Sequence, residues 1–230
     1  MRVINATMPR SGSEFVSRLI LLSLESRPQC AVSVTPGRNI NHCDGSDCDR
    51  IMSSDAVFKS SARAIDAFEK MDSALVKIES PGNDNLCLDL AEQFEDIKWF
   101  CSIRNIEDII ASHYNLEKWG WPEKRILKAW RDDLFFYDFL HAKGRLFAIS
   151  IDNPSSFNTD EFCEFLGIRA LPEQARQFIE RWNVVNPLSK QKEKAGETYR
   201  SRKIPEDIGS LRVRHPWINS LESRYRSLVG

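Results

Sequence analysis

Short runs of β-branched and apolar residues alternate along this chain with longer segments of helical period, the pattern of βα units built around a largely parallel sheet. Strands are predicted at Val3 to Ala6, Ala31 to Thr35, Ala74 to Ile78, Trp99 to Ile103 and Leu146 to Ile151. Between them apolar residues recur at helical spacing. Phe15, Leu19 and Leu22 form one stripe, Ile65, Phe68 and Met71 another, and the long segment Glu123 to Ala142 carries Ile126, Ala129, Leu134 and Phe135. Two further helical stretches follow, Thr159 to Leu166 and Pro172 to Asn183, then a strongly polar segment from Ser189 to Lys203 that reads as a loop or lid. A closing helix is predicted over Trp217 to Leu228, with Leu221, Tyr225 and Leu228 on one side. No Pro/Gly/Ser-rich linker, repeat or low-complexity tract interrupts the series. The expectation is a single α/β domain over residues 1–230, with a mostly parallel central sheet flanked by helices.

Charge narrows the partners. Lysine and arginine number 32 against 33 for aspartate and glutamate, so no global field draws the chain to nucleic acid or to an anionic membrane. Any anion site has to be local. The longest apolar run near the N-terminus, Leu19 to Leu22, is too short to cross a bilayer, and Met1-Arg2 leads straight into a strand-like segment, so a cytoplasmic protein without membrane insertion is expected. Six scattered cysteines, with Cys101 and Cys163 inside apolar segments, read as reduced structural thiols. Cys43 and Cys48 share the stretch HCDGSDCD with His42, but a second Cys/His pair at ligand spacing is not evident, so that stretch reads as a polar surface loop and no metal is expected.

The first strand runs into MPRSGSEF, and helical periodicity begins at once. A strand, a tight loop and a helix N-terminus together present backbone N–H groups and the positive end of a helix dipole, which suits a phosphate or sulfate. Gly12 allows close approach, Ser11 and Ser13 supply hydroxyls, and Arg10 supplies a permanent charge with a planar fork of donors. The Walker pattern GxxxxGK[ST] is absent, which disfavours an ordinary ATP or GTP hydrolase. Taken alone, the same residues fit a turn that merely caps a helix. A second candidate follows the strand that ends at Ile103. The stretch IRNIEDIIASHYN puts Arg104 at a strand's carboxyl end and Ser112 two helical turns later, on the sheet edge where ligands collect in open α/β folds.

These two stretches together resemble the PAPS-dependent sulfotransferases, PAPS being 3′-phosphoadenosine 5′-phosphosulfate. That family has a 5′-phosphosulfate loop of the form PKSGT or PRSGS, matched by Pro9, Arg10, Ser11, Gly12 and Ser13, and a 3′-phosphate motif RNxxDxxxS, matched by Arg104, Asn105, Asp108 and Ser112. LVKIESPG, residues 75–82, is similar to the family segment in which a lysine stands two positions before the catalytic base. LFAISIDNPSSFNTDEFCEFLGI is similar to its late strand, acidic turn and helix. The resemblance runs in family order from Val3 to about Ile168 and implies a P-loop nucleotide-binding-like sulfotransferase fold.

By resemblance, Arg10 stands beside the leaving phosphate, Ser11 to Ser13 wrap the 5′-phosphate, and Arg104 and Ser112 hold the 3′-phosphate. Glu79 takes the position of the base, as in carbohydrate-directed branches, and Lys77 shares its strand face and would hold the sulfuryl oxygens or orient Glu79. A plain salt link at a strand end is the alternative for those two residues, and the catalytic reading is preferred. Lys194 and Gly196, in KQKEKAGETYR, fall where the family has a late glycine-containing loop over the nucleotide, though the wording departs from it and a solvated charge run fits as well. Glu14 is a second departure, standing where the family prefers a hydroxyl. His113 borders the second motif without an assigned role. The turn Trp119, Gly120, Trp121 reads as packing before stacking on an adenine. The implied reaction moves a sulfuryl group from PAPS to an acceptor hydroxyl or amine of a small molecule or carbohydrate, leaving 3′,5′-adenosine bisphosphate. Two rivals share the architecture: a P-loop-type kinase, and a non-catalytic module that binds the bisphosphate without turnover.

Overall fold

The computed structural model describes residues 1–25, 28, 30–35, 38–43, 61–83, 85–114, 120–152, 158–184, 205 and 207–229. Among them, six strands form one sheet in the order β3-β2-β4-β1-β5-β6. The strands are β1 (Arg2–Thr7), β2 (Cys30–Thr35), β3 (Arg38–Cys43), β4 (Ala74–Glu79), β5 (Lys98–Ile103) and β6 (Leu146–Ser150). Every pairing is parallel except that of β3, which runs antiparallel to β2 on the sheet's edge. The five predicted strands are all present, shifted at their ends by a residue at most. β3 is not among the predicted strands, and its last two residues belong to the stretch read as a polar surface loop. A strand at the rim needs a partner on one side only, so Arg38, Asn39, Asn41 and His42 can occupy it without the apolar pattern that reveals interior strands.

The helices are α1 (Ser13–Ser23), α2 (Ser61–Glu69), α3 (Asn85–Gln93), α4 (Ile106–Tyr114), α5 (Glu123–Ala142), α6 (Thr159–Leu166), α7 (Glu173–Val184), α8 (Leu211–Arg214) and α9 (Trp217–Ser227). Strand residues alternate between the two faces, and two apolar layers result. On one face Val3, Leu75 and Phe100 meet α1 through Phe15, Val16, Leu19 and Ile20, and α6 through Phe162 and Leu166. On the other, Ile4, Val76, Ile78 and Trp99 meet Phe68 of α2, Leu90 of α3 and Ile126, Leu134 and Tyr137 of α5. Aromatic pairs lock both layers: Phe15 stacks on Phe178 at 5.3 Å, and Trp99 meets Phe136 edge-on at 5.2 Å. α6 begins and ends where its sequence says. The Asn158 side chain accepts from the Asp160 and Glu161 N–H groups, and Gly167 closes the helix in the left-handed conformation.

α5 corrects one expectation. Phe135, grouped by sequence with Ile126, Ala129 and Leu134 as an apolar residue of this helix, is 57% exposed, with the Arg224 guanidinium over its ring at 5.8 Å. It lies nine residues, or about two and a half turns, from Ile126, and so on the opposite side of the helix. The residue seven on from Ile126 is Asp133, which falls on the buried side with no solvent exposure at all. Its Oδ1 accepts the Gly82 N–H at 2.8 Å, in the 3-10 turn Pro81–Asn83 that follows β4. Gly82 has no room for a side chain there, since a Cβ would sit 2.2 Å from the Asp132 carbonyl. The turn and α5 thus close backbone to backbone.

Burial pushes the Asp133 carboxyl well above the usual carboxylate range, against a smaller opposing pull from the Gly82 hydrogen bond. The folded chain holds this proton where the unfolded chain, ionising at about 4, has lost it. Its contribution to stability is therefore complete below about pH 4 and is lost as pH rises toward the folded value. Asp133→Asn keeps an acceptor for Gly82 and cannot ionise. Denaturation at pH 5 and pH 8 should show the variant gaining on the wild type at the higher pH, by at most about 1.4 kcal/mol per pH unit. Parallel pH profiles would mean that Asp133 is ionised in the fold.

Candidate anion-binding site

β1 lies between β4 and β5, and the chain turns to one side of it after β1 and crosses to the other after β4. The carboxyl end of β1 is thus the point in the sheet where connections diverge, and a crevice opens there. Three candidate segments end on it: Glu79 at the end of β4, the loop Met8 to Gly12 after β1, and Arg104 after β5.

The loop is built by an unusual backbone. Arg10 has φ 69° and Gly12 φ 109°, both left-handed, and the Ser11 N–H donates to the Met8 carbonyl at 3.2 Å. Gly12 is the N-cap of α1, with no side-chain cap, so the N–H groups of the first helical turn have no intrahelical acceptors and converge on the loop. Gly12 also lies against β6's continuation, where a Cβ would meet Ile151 Cγ1 at 2.4 Å. The Ser11 hydroxyl is turned inward. It donates to the Met8 carbonyl at 2.6 Å and shares hydrogen bonds with Thr7 Oγ1 at 2.8 Å and Ser102 Oγ at 2.7 Å. Both the hydroxyl and the N–H of Ser11 are thus engaged within the loop and its floor, so the hydroxyl expected from sequence to meet a ligand is turned away from it. Ser13 is buried, and its carbonyl accepts from Asn5 Nδ2 at 2.8 Å, which ties the start of α1 down to β1. Glu14 is drawn along the outside of α1 to Arg18, at 2.7 Å, so its carboxylate is paired away from the loop.

Arg10 reaches across to the second motif. Its Nε donates to Ser112 Oγ at 3.0 Å, and Arg104 Nη1 donates to the Arg10 carbonyl at 3.0 Å. Residues about a hundred positions apart in sequence are thereby joined into one cationic cradle. Asn105 serves the backbone here. Its Oδ1 accepts the Glu107 N–H at 2.9 Å and its own N–H donates to Asp152 Oδ2 at 2.9 Å, fixing the start of α4 against the end of β6. α4 is held from behind by Arg212 of α8, which forks onto Glu107 at 2.5 and 3.0 Å and also pairs with Glu222 of α9 at 2.6 Å.

Glu79 pairs in register with Thr7, and Lys77 with Asn5, so both face the α1 side of the sheet directly beside the loop. Both side chains are mostly buried, and Lys77 Nζ stands 4.0 Å from Glu79 Oε1, a loose ion pair. Ser80, which follows, has φ 56° and donates its N–H to the Thr7 carbonyl at 2.9 Å. Arg10 and Ser80 are the two non-glycine residues with left-handed backbone among those described, and both border this crevice. Strain of that kind persists only where surrounding contacts enforce it, and it gathers at binding sites.

Sequence reading passed over the polar floor made by Asn5, Thr7 and Ser102, because isolated polar residues in strands carry no periodic signal. Trp121 stacks on His113 with centroids 5.4 Å apart, carries the Arg125 guanidinium over its ring at 4.0 Å and packs against the core. That favours packing over adenine stacking for the turn. Lys194, Gly196, Trp119 and Cys48 lie outside the described residues. No described helix is long and apolar enough to cross a membrane.

No protein-family model matches the chain, and no curated protein matches it. Among solved structures it is similar to mouse sulfotransferase SULT7A1, determined in complex with PAP, with a TM-score of 0.51 over 99% of this chain and 82% of that one. The fold is of the sulfotransferase type. Sequence identity is 11%, so the likeness concerns backbone architecture.

Gly12→Ala combines a left-handed φ with the collision at Ile151, and should cost about 2 kcal/mol or more in chemical denaturation. A neutral Gly12→Ala would mean that the loop relaxes to another conformation.

Proposed function

We propose that this chain is a sulfotransferase that moves a sulfuryl group from PAPS to a hydroxyl or amine of a small-molecule or carbohydrate acceptor. The observation that carries the reading is the Arg10–Ser112–Arg104 cradle, because it joins the two stretches that resemble the family's 5′- and 3′-phosphate motifs. Two positive side chains and a helix N-terminus converge on one crevice of a chain whose net charge is −1. Such a cluster fits a ligand bearing several negative charges. The sulfotransferase-type fold supports it further, since the similar mouse enzyme was determined with PAP.

In this reading Arg104 and Ser112 hold the 3′-phosphate, and the loop Ser11 to Ser13 wraps the 5′-phosphate through the backbone N–H groups of Gly12 and Ser13. Arg10 neutralises charge that grows on the leaving oxygen. The bound nucleotide supplies the activated sulfuryl group. Glu79 takes the acceptor's proton as the new bond to sulfur forms, and Lys77 orients Glu79 or steadies the sulfuryl oxygens. The pairing of Glu14 with Arg18 supports a working loop, since it removes the carboxylate that would oppose an anion. Lys194 and Gly196 would close over the nucleotide.

Calorimetric titration with 3′,5′-adenosine bisphosphate should show metal-independent binding, weakened about 10- to 100-fold by Arg104→Ala, the range for a lost charge-assisted contact. Binding of Mg²⁺-ATP with no response to the bisphosphate would favour a kinase instead. Once an acceptor is found, Glu79→Gln should lower kcat by about 10²- to 10⁴-fold while leaving bisphosphate affinity unchanged. Full turnover in that variant would remove Glu79 as base. Bisphosphate binding with no product across a broad acceptor screen would favour the non-catalytic module.

A further inference from the structure

Among the described residues Asp133 is the one carboxylic side chain that is wholly buried. Trp130 and Tyr137, on the same side of α5, are buried in the apolar layer before and after it. A leucine would suit such a position. Asp133 Oδ2 has no hydrogen-bond partner among the described residues, so the polar side chain makes a single bond, Oδ1 accepting the Gly82 N–H at 2.8 Å. Burying a carboxyl for one acceptor contact lowers stability relative to an apolar side chain of similar shape. A residue that breaks the local rule in this way is explained by what its one contact holds.

That contact holds the turn after β4. β4 ends at Glu79, which pairs with Thr7 of β1, whereas pairing with β2 stops one residue earlier, at Ile78. Strand pairing therefore supports Glu79 from one edge, and the chain leaves the sheet directly after it. Ser80 makes the exit with φ 56°, a strained value for a residue with a side chain, and Pro81 stiffens the next position. Two hydrogen bonds fix this exit: the Ser80 N–H to the Thr7 carbonyl at 2.9 Å, and the Gly82 N–H to Asp133. Glu79 faces the α1 side of the sheet, while α5 packs on the other, so Asp133 acts on the backbone of the turn from the far face.

We infer that Asp133 is a positioning residue for Glu79: by holding the Gly82 N–H it keeps Ser80 in its left-handed exit, and so fixes the direction in which the Glu79 carboxylate leaves β4. This role presupposes the proposed reading of Glu79 as base and adds the residue that orients it.

Water can stand as acceptor in the test. PAPS labelled with ³⁵S then yields sulfate and 3′,5′-adenosine bisphosphate, and Glu79 takes the proton of the attacking water. Asp133→Asn keeps an acceptor for Gly82 and should release sulfate within about threefold of the wild-type rate. Asp133→Ala removes it and should lower kcat about tenfold, while calorimetric affinity for the bisphosphate stays within about twofold. A general loosening of the fold would move both. In a Glu79→Gln background Asp133→Ala should add less than about threefold, since both changes act through one group. Equal losses in the two backgrounds, or wild-type turnover in a folded Asp133→Ala, would overturn the proposal.

The ¹³C resonance of the Glu79 carboxyl, assigned through Glu79→Gln, reports its surroundings without turnover. It should move in Asp133→Ala and stay in place in Asp133→Asn, with the resonance of Glu222, held by Arg212, unmoved in both. An unmoved Glu79 resonance in Asp133→Ala overturns the inference. If that variant does not fold, amide exchange at Gly82 in the wild type decides: slow exchange is expected, and exchange at the rate of an open loop overturns it. If the wild type releases no sulfate, or Glu79→Gln releases it at the wild-type rate, the base reading loses this support and the resonance alone decides whether Asp133 orients Glu79.

Discussion

β1 has strands on both edges and apolar layers on both faces, so every polar group it carries has to be satisfied inside the protein. The Asn5 amide N–H groups and the Thr7 hydroxyl meet that demand by bonding to the segment that leaves the strand and to Ser102. The Asn5 amide reaches the Ser13 carbonyl and, at 2.9 Å, Ser17 Oγ, while Thr7 joins the hydroxyls of Ser11 and Ser102. In a buried setting each of these bonds matters more for what its loss would expose than for what it adds. The loop proposed to hold an anion is consequently a rigid lining on the end of β1. Its left-handed residues are held from below.

That rigidity lets the crevice concentrate positive charge in a chain with almost none to spare. Arg10 and Arg104 would drift apart if each were anchored by its own flexible stem. Arg104 is instead fixed on the Arg10 carbonyl, and Arg10 on the Ser112 hydroxyl. α4, which supplies Ser112, is held at its start by Asn105 and Asp152 and along its outer side by Arg212 of α8. α9 completes the support, with Tyr225 stacked on Trp130 at 4.8 Å and its hydroxyl on the Trp130 carbonyl at 2.6 Å. The C-terminal helices therefore contribute to the site without touching it. In the proposed reading, an anion site assembled in this way would have little reorganisation left to do when its ligand arrives.

Much of the fold was legible because the signals were local and periodic. The interior strands are rich in β-branched and apolar residues, α5 and α6 carry helical period, and the caps of α6 locate its ends. The misses have one cause. Where a residue's surroundings come from distant sequence, local pattern misleads: β3 is polar because it lies at a rim, Phe135 faces solvent because helical phase turns it outward, and Asp133 is buried because the same phase turns it in. Of the candidate site, the loop at Arg10 to Ser13 and the motif at Arg104 to Ser112 could be read as short motifs. The inward turn of the Ser11 hydroxyl, the diversion of Glu14 to Arg18 and the stacking of His113 on Trp121 could not, for each depends on side-chain direction.

Sequence by itself determined that this chain forms a parallel α/β sheet with anion-capable residues at two strand ends, since hydrophobic period and the strand-loop-glycine-helix junction are encoded over a few consecutive residues. Only the tertiary structure decided that these ends are neighbours, that β4 brings Glu79 and Lys77 to the same edge, and that Arg10, Ser112 and Arg104 share one cradle. Strand order is chosen by the packing of whole apolar layers, and no short stretch of sequence carries that choice.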